Sequence, residues 1–182
     1  MIFPIARVIS GGQTGADIAA LRAALDAGIP TGGTLPRGWR TQAGPRPEYA
    51  ARYGMTEHSS TSYGPRTFAN AFAADLTVRI AADFDTAGEV LTKQACDKAK
   101  KPRVDVQLRW SDYPDVGLKI GRYCVNAVHV YDARDAIRKL SAQLGRPIVL
   151  NVAGNSERTA PGIEETAYGV VTMILNDLRS DP

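Results

Sequence analysis

Several short stretches of the chain combine bare backbone and cationic side chains in a way that suits an anion. In Ser10-Gly11-Gly12-Gln13-Thr14-Gly15, three glycines fall within five positions, just after the β-branched Val8 and Ile9 and just before an alanine-rich helical pattern beginning at Ala16-Asp17. Glycine costs backbone entropy, so the main chain is expected to be needed bare there. Its N–H groups, from Gly12 to Gly15, would gather at a helix N-terminus, which favours phosphate. The loop is neither the dinucleotide-binding pattern nor a P-loop, since no Lys-Ser or Lys-Thr closes it. A tight strand-to-helix turn whose glycines serve only packing fits the same residues. Thr14 is the expected ligand contact, and Asp17 the complement of the helix dipole.

Pro36-Arg37-Gly38-Trp39-Arg40 sets two arginines around an indole. Guanidinium forks match phosphate oxygens in pairs, and an indole can stack on a planar ring; solvated surface arginines would look the same. Tyr63, Arg66, Thr67 and Asn70 fall on one stripe of a helix. That stripe is polar where a core-facing one would be apolar, so it faces a ligand pocket, a subunit partner or solvent. Finally, Asn151-Val152-Ala153-Gly154-Asn155-Ser156-Glu157 ends a strand before Pro161-Gly162-Ile163 opens a helix. Asn151 and Ser156 can there donate to a ligand oxygen or serve as caps. Neither His58 nor His129 lies in these stretches, so Ser–His or Cys–His catalysis has no support. Cys96 and Cys124 lack metal-site spacing and read as small buried apolar residues; no metal site is expected.

These residues need a scaffold, and the 182-residue chain is long enough to bury a real core. Its 44% apolar and 23% charged content is that of a globular protein, and a net charge of +3 is too even to argue for nucleic acid or a membrane surface. With no signal-like start and no long apolar run, the expected compartment is the cytoplasm. Strand-like runs alternate with helical ones. Strands are expected at Ala6–Ser10, Ile29–Thr31 (before a Gly32-Gly33 turn), Met55–His58, Leu76–Ala81, Val104–Leu108 and Ile148–Val152. Helices are expected at Asp17–Ala27, Pro65–Ala74, Ala87–Lys100, Asp132–Leu144 and Gly162–Leu178, with residues 34–48 as a functional loop. Trp110 to Ala127 fits no pattern, and Trp110, Tyr113, Tyr123 and Tyr131 have no element to bury them, which points to an interface. Such an α/β order predicts a single Rossmann-like, doubly wound domain over residues 1–182, its mostly parallel sheet covered by helices on both faces. The glycine loop and the Asn151–Glu157 loop then share the rim beyond the strand C-termini, where such folds bind ligands.

Taken together, "SGGQTGAD" at 10–17, "GIPTGGTLPRG" at 28–38, "YGPRTFAN" at 63–70 and "NVAGNSERTAPGI" at 151–163 resemble the molybdenum cofactor carrier proteins. These form a circularly permuted branch of the SLOG superfamily, related to the LOG-type nucleotide hydrolases. The resemblance implies a homo-oligomer (dimer or tetramer) and a phosphorylated small-molecule ligand at the strand C-termini. It also implies molybdenum cofactor as cargo and delivery to a molybdoenzyme partner. Carried over, it puts Gly11, Gly12, Gln13 and Thr14 in the anion site and matches Arg37, Arg66 and Asn70 to family positions; Gly15, Tyr63, Gly88, Asn151, Gly154 and Ser156 complete the expected site. One departure stands out. Where the family reads Gly-Thr-Ala-Leu-Thr, this chain has Gly88-Glu89-Val90-Leu91-Thr92. At the partial exposure expected for it, the Glu89 charge would repel a phosphate, so either the ligand differs or Thr86 takes over. A binding protein without turnover is the expectation; the alternative is a LOG-type nucleotide N-glycosidase, or phosphoribohydrolase, using Arg66 and Glu89.

Overall fold

The computed structural model describes residues 3–110 and 117–180. One eight-stranded sheet organises them, in the order β5-β2-β1-β10-β6-β7-β9-β8. The strands are β1 (Ile5–Ser10), β2 (Thr31–Leu35), β5 (Met55–Glu57), β6 (Leu76–Ala81), β7 (Arg103–Trp110), β8 (Leu118–Ile120), β9 (Tyr123–Val125) and β10 (Ile148–Gly154), while β3 (Arg40–Thr41) and β4 (Gly44–Pro45) form a separate hairpin. Six strands from β5 to β7 run parallel; β9 pairs antiparallel to β7, and β8 antiparallel to β9. The helices are α1 (Ala16–Asp26), α2 (Tyr49–Tyr53), α3 (Tyr63–Ala73), α4 (Ala87–Ala99), α5 (Ala127–Leu144) and α6 (Ile163–Ser180). α6 packs between α1 and α5, and the three supply the main core with the sheet; α3 packs on α4 around Ala71, Ala95 and Cys96. Helices thus cover both faces. A parallel sheet requires this, because all six residues of β6 are buried. Among the described residues, no helix is long and apolar enough to cross a membrane.

Most expected elements are present with ends shifted by one to three residues, and both cysteines are buried. Three expectations are corrected. The second strand begins where Ile29–Thr31 was expected to end, and Gly32-Gly33 lies inside β2 rather than in a turn. A Cβ on Gly33 would sit 1.9 Å from the Ser10 carbonyl oxygen, so glycine is what lets β2 lie against β1. Residues 34–48 are not all loop: they finish β2 and fold back as the β3–β4 hairpin. Within the unassigned segment lie β8 and β9, and α5 starts at Ala127, well before Asp132. The side chain of Asn126 accepts from the Val128 N–H at 2.9 Å and caps that helix. Of the four aromatics expected to lack cover, Tyr123 is fully buried, donating its hydroxyl to the Pro161 carbonyl; Trp110 and Tyr131 are 49% and 47% exposed. Tyr113 lies outside the described residues.

Candidate functional site

Beyond the C-terminal ends of the central strands lies a cavity of about 430 Å³. Of the residues expected at a site, Gly11, Gln13, Tyr63, Arg66, Asn70, Gly88, Glu89, Asn151, Gly154 and Ser156 line it; Gly12, Thr14, Gly15 and Arg37 do not. Four elements bring the lining together: the loop after β1, the polar stripe of α3, the start of α4, and the end of β10.

The glycine loop turns its N–H groups inward. The Gln13 N–H donates to Asp17 Oδ2 at 3.2 Å, the Thr14 N–H to Gln13 Oε1 at 3.0 Å, and the Ala16 N–H to the Asn155 carbonyl at 3.1 Å. Its glycines answer to packing. Gly15 adopts φ +87°, and a Cβ there would stand 2.4 Å from the Asn155 oxygen. A Cβ on Gly11 would fall 1.2 Å from Nη1 of Arg66, so the bare residue is what lets that guanidinium cross the loop. Thr14 donates its hydroxyl to Gln42 on the β3–β4 hairpin. Arg37 is exposed on the loop after β2, its N–H donating to Ser60. The Trp39 indole packs on the cluster of Ile18, Leu21, Leu35, Tyr53 and Met55 instead of standing in the cavity.

Arg66 is the cation of the site. It pairs through Nη1 with Asp17 Oδ2 at 3.1 Å, lies 6.0 Å from the Tyr63 ring centroid, and keeps a buried Nε without a partner. Asp17, expected to complement the helix dipole, is buried and lines the cavity. Burial pushes its carboxyl above the usual range, against the opposing pull of Arg66. Asn70 holds α3 to β2: its Oδ1 accepts the Thr34 N–H at 2.9 Å and its Nδ2 donates to the Thr34 carbonyl at 3.2 Å. Asn151 donates to the Thr77 hydroxyl at 3.2 Å, and Ser156 Oγ lies 3.2 Å from Thr159 Oγ1.

At the opposite wall, Thr86, Ala87 and Gly88 begin α4 with no side-chain cap. The first N–H groups of a helix have no partner inside it, so this end offers donors and a positive dipole to the cavity. Glu89 follows. It is 2% exposed, not the partly exposed residue expected, and its Oε2 lies 3.8 Å from Arg79 Nη1 with no hydrogen-bond partner. Burial raises its carboxyl to about 7, overcoming the attraction of Arg79. Arg79 is committed elsewhere: its Nη1 donates to the Glu89 carbonyl at 3.1 Å, its Nε to Asp105 Oδ1 at 2.7 Å, its Nη2 to Asp105 Oδ2, and it stacks 4.7 Å from the Phe84 ring centroid. Sequence reasoning passed over Arg79 and ranked Asp17 below Thr14. An arginine inside the apolar run "LTVRIA" was the available signal, since a charge in a central strand must be paired.

A cationic fork, an open helix N-terminus and a carboxyl titrating near neutrality thus share one cavity at the rim where α/β sheets bind ligands. The model of the circularly permutated YpsA SLOG family matches residues 8–175. The chain belongs to that family. It is also similar to a solved structure from Syntrophus aciditrophicus SB titled "putative molybdenum carrier protein", with 29% identity, a TM-score of 0.70, and coverage of 98% of this chain and 96% of that one. No curated protein matches the chain.

Proposed function

We propose that this family member is a binding protein that carries a phosphate-bearing small molecule in the cavity, molybdenum cofactor or a related pterin or nucleotide being its cargo. The observation that carries the reading is the Arg66 guanidinium lining the same cavity as the uncapped start of α4. An anion between them would receive charge-assisted hydrogen bonds from the guanidinium and main-chain donors from the helix. The cavity volume of about 430 Å³ lies within the range of small-molecule sites, roughly 300–1,000 Å³. The similarity to a protein titled as a molybdenum carrier points to the same class of cargo. Delivery to a molybdoenzyme, cytoplasmic residence and assembly of several copies belong to the same reading. Sedimentation at micromolar concentration checks the last; a 19.5 kDa species alone counts against it.

One observation favours a second reading. Glu89 has a carboxyl raised to about 7 and shares the cavity with Arg66, which is the tuning a general acid needs at neutral pH. A hydrolase would use this pair on the N-glycosidic bond of a nucleotide. Calorimetric titration of ribose 5-phosphate into the protein, beside incubation with nucleoside monophosphates and chromatography for free base, separates the two. The carrier binds the phosphate and releases no base. Base release that disappears in Glu89→Gln overturns it in favour of the hydrolase.

A further inference from the structure

A second cavity, of about 500 Å³, adjoins the first. Asn155 and Thr159 line both and form their common wall. Asn155 is 2% exposed and fixed from several sides: its Oδ1 accepts the N–H groups of Ala82 and Asp83, each at 3.0 Å, and its Nδ2 donates to the Asp83 carbonyl at 2.9 Å. Beyond this wall lies Trp110, at the end of β7. Its indole rests on the buried Tyr123 ring, centroids 4.9 Å apart, and is still 49% exposed. Asp83 and Arg109, both exposed, bring one charge of each sign to the same lining.

An indole held by a second ring at the mouth of a cavity, with its other side half open, presents a fixed face on which a planar ring can stack. The opposite charges suit the edge of a ring that carries both donors and acceptors. We propose that this second cavity is a ring subsite: the planar N-heterocycle of a nucleotide-like ligand stacks on Trp110 while the ligand's phosphate occupies the Arg66 cavity across the Asn155–Thr159 wall. The inference rests on the anion site proposed above and adds the chemical class of the ligand's other end. It assigns a role to the β7–β9 edge, which the loop after β10 reaches through Asn155, Thr159 and Ala160.

The test compares two ligands that share a sugar phosphate and differ in the ring: guanosine monophosphate and ribose 5-phosphate, titrated into the parent, Trp110→Ala and Trp110→Phe proteins. Stacking of a base on an aromatic side chain contributes enough for the parent to prefer the nucleotide by about tenfold or more. Trp110→Ala should abolish that preference and leave ribose 5-phosphate binding as in the parent, which also shows that the variant is folded. Trp110→Phe should restore part of the preference. A parent that binds both ligands equally, or a preference untouched in Trp110→Ala, overturns the ring subsite and leaves the anion site standing. A parent that binds neither overturns both. Loss of ribose 5-phosphate binding in Trp110→Ala with its melting transition intact also overturns the subsite, because the indole would then act on the phosphate end.

Discussion

The starts of α1 and α4 are built alike and behave differently. Each follows a parallel strand, each has an uncapped N-terminus, and each carries a buried acid in its first turn, Asp17 and Glu89. At α1 the chain occupies several of its own donors: the N–H groups of Gln13, Thr14 and Ala16 go to Asp17, the Gln13 side chain and the Asn155 carbonyl, and Arg66 pairs with the acid at 3.1 Å. At α4 the acid stands 3.8 Å from a cation already committed to Asp105, and nothing caps the helix. A glycine-rich loop by itself does not say where an anion would bind. What matters is whether the backbone donors are spent. The conspicuous motif builds the wall and carries Arg66 across Gly11; the inconspicuous one offers the donors.

The largest effect expected from this contrast concerns the two acids. A carboxyl whose native value lies above its unfolded one holds its proton more tightly in the folded state, so stability is greatest at low pH and falls as pH rises from about 4.5 to about 7, then levels. For Glu89 that loss amounts to about 3 kcal/mol across the window. Glu89→Gln should flatten the fall, so that melting temperatures of parent and variant converge near pH 5 and separate by pH 8 with the variant higher. Parallel curves would mean that the carboxyl is not held out of water at neutral pH. Asp17 is pushed in the same direction by burial, and the part of the fall that Glu89→Gln leaves should include its share.

Next comes Arg66→Ala, which should weaken ribose 5-phosphate binding by about a hundredfold, the scale of charge-assisted hydrogen bonds lost in a buried site. It should also destabilise the fold, because Asp17 loses its cation; protonation of that carboxyl limits the cost, so the deficit should shrink as pH falls. Calorimetry at pH 6 and pH 8 reads both. Undiminished affinity would move the anion away from α3 altogether.

How much of this was legible in the sequence follows from what each residue answers to. β6 and α4 were readable because burial alone dictates them, and Leu76–Ala81 stands as read. The stripe of Tyr63, Arg66 and Asn70 was readable because helical spacing fixes a face. β8 and β9 were not: strands of three residues carry too few alternations to show a period, and their pairing with β7 is a tertiary fact. That Asp17 and not Thr14 lines the cavity was not legible, for a similar reason. Residue type suggests a donor, but only the arrival of Arg66 from α3 turns Asp17 into part of the cavity. The exposure of Glu89 was misjudged because the packing of α4 beside Arg79 of β6, which buries it, is a tertiary fact.

A smaller effect separates the glycines. Gly12 has φ +64°, and a Cβ there would stand 2.9 Å from the Met55 sulfur; Gly88 has open space around its Cβ position. Gly12→Val should cost about 2 kcal/mol of stability, through backbone strain and displacement of Met55. Any loss of binding in it then reports folding instead of a missing phosphate contact. Gly88→Ala should melt within about 0.5 kcal/mol of the parent while trimming affinity, since its methyl enters the cavity. Equal melting temperatures for the two variants would show that the loop tolerates side chains and that its glycines serve a ligand after all.

The smallest effect is the sharpest test of the contrast. Thr14 is the residue that sequence alone nominates as the ligand contact, yet its N–H is held by Gln13 Oε1 at 3.0 Å and its hydroxyl by Gln42 at 3.3 Å. Thr14→Ala removes the hydroxyl with the γ-methyl and leaves the loop's N–H groups in place. If the loop is closed, ribose 5-phosphate affinity should change by less than about twofold, the worth of a partly exposed neutral hydrogen bond to a neighbouring loop. If the loop is the anion cradle, the same change removes a donor to a charged group and should cost tenfold or more. Thr86→Ala is the matching change at α4, at the end with unspent donors. Measured together by titration, the pair ranks the two helix starts directly: a larger loss at Thr86 supports the open end, and a larger loss at Thr14 returns the site to the glycine loop.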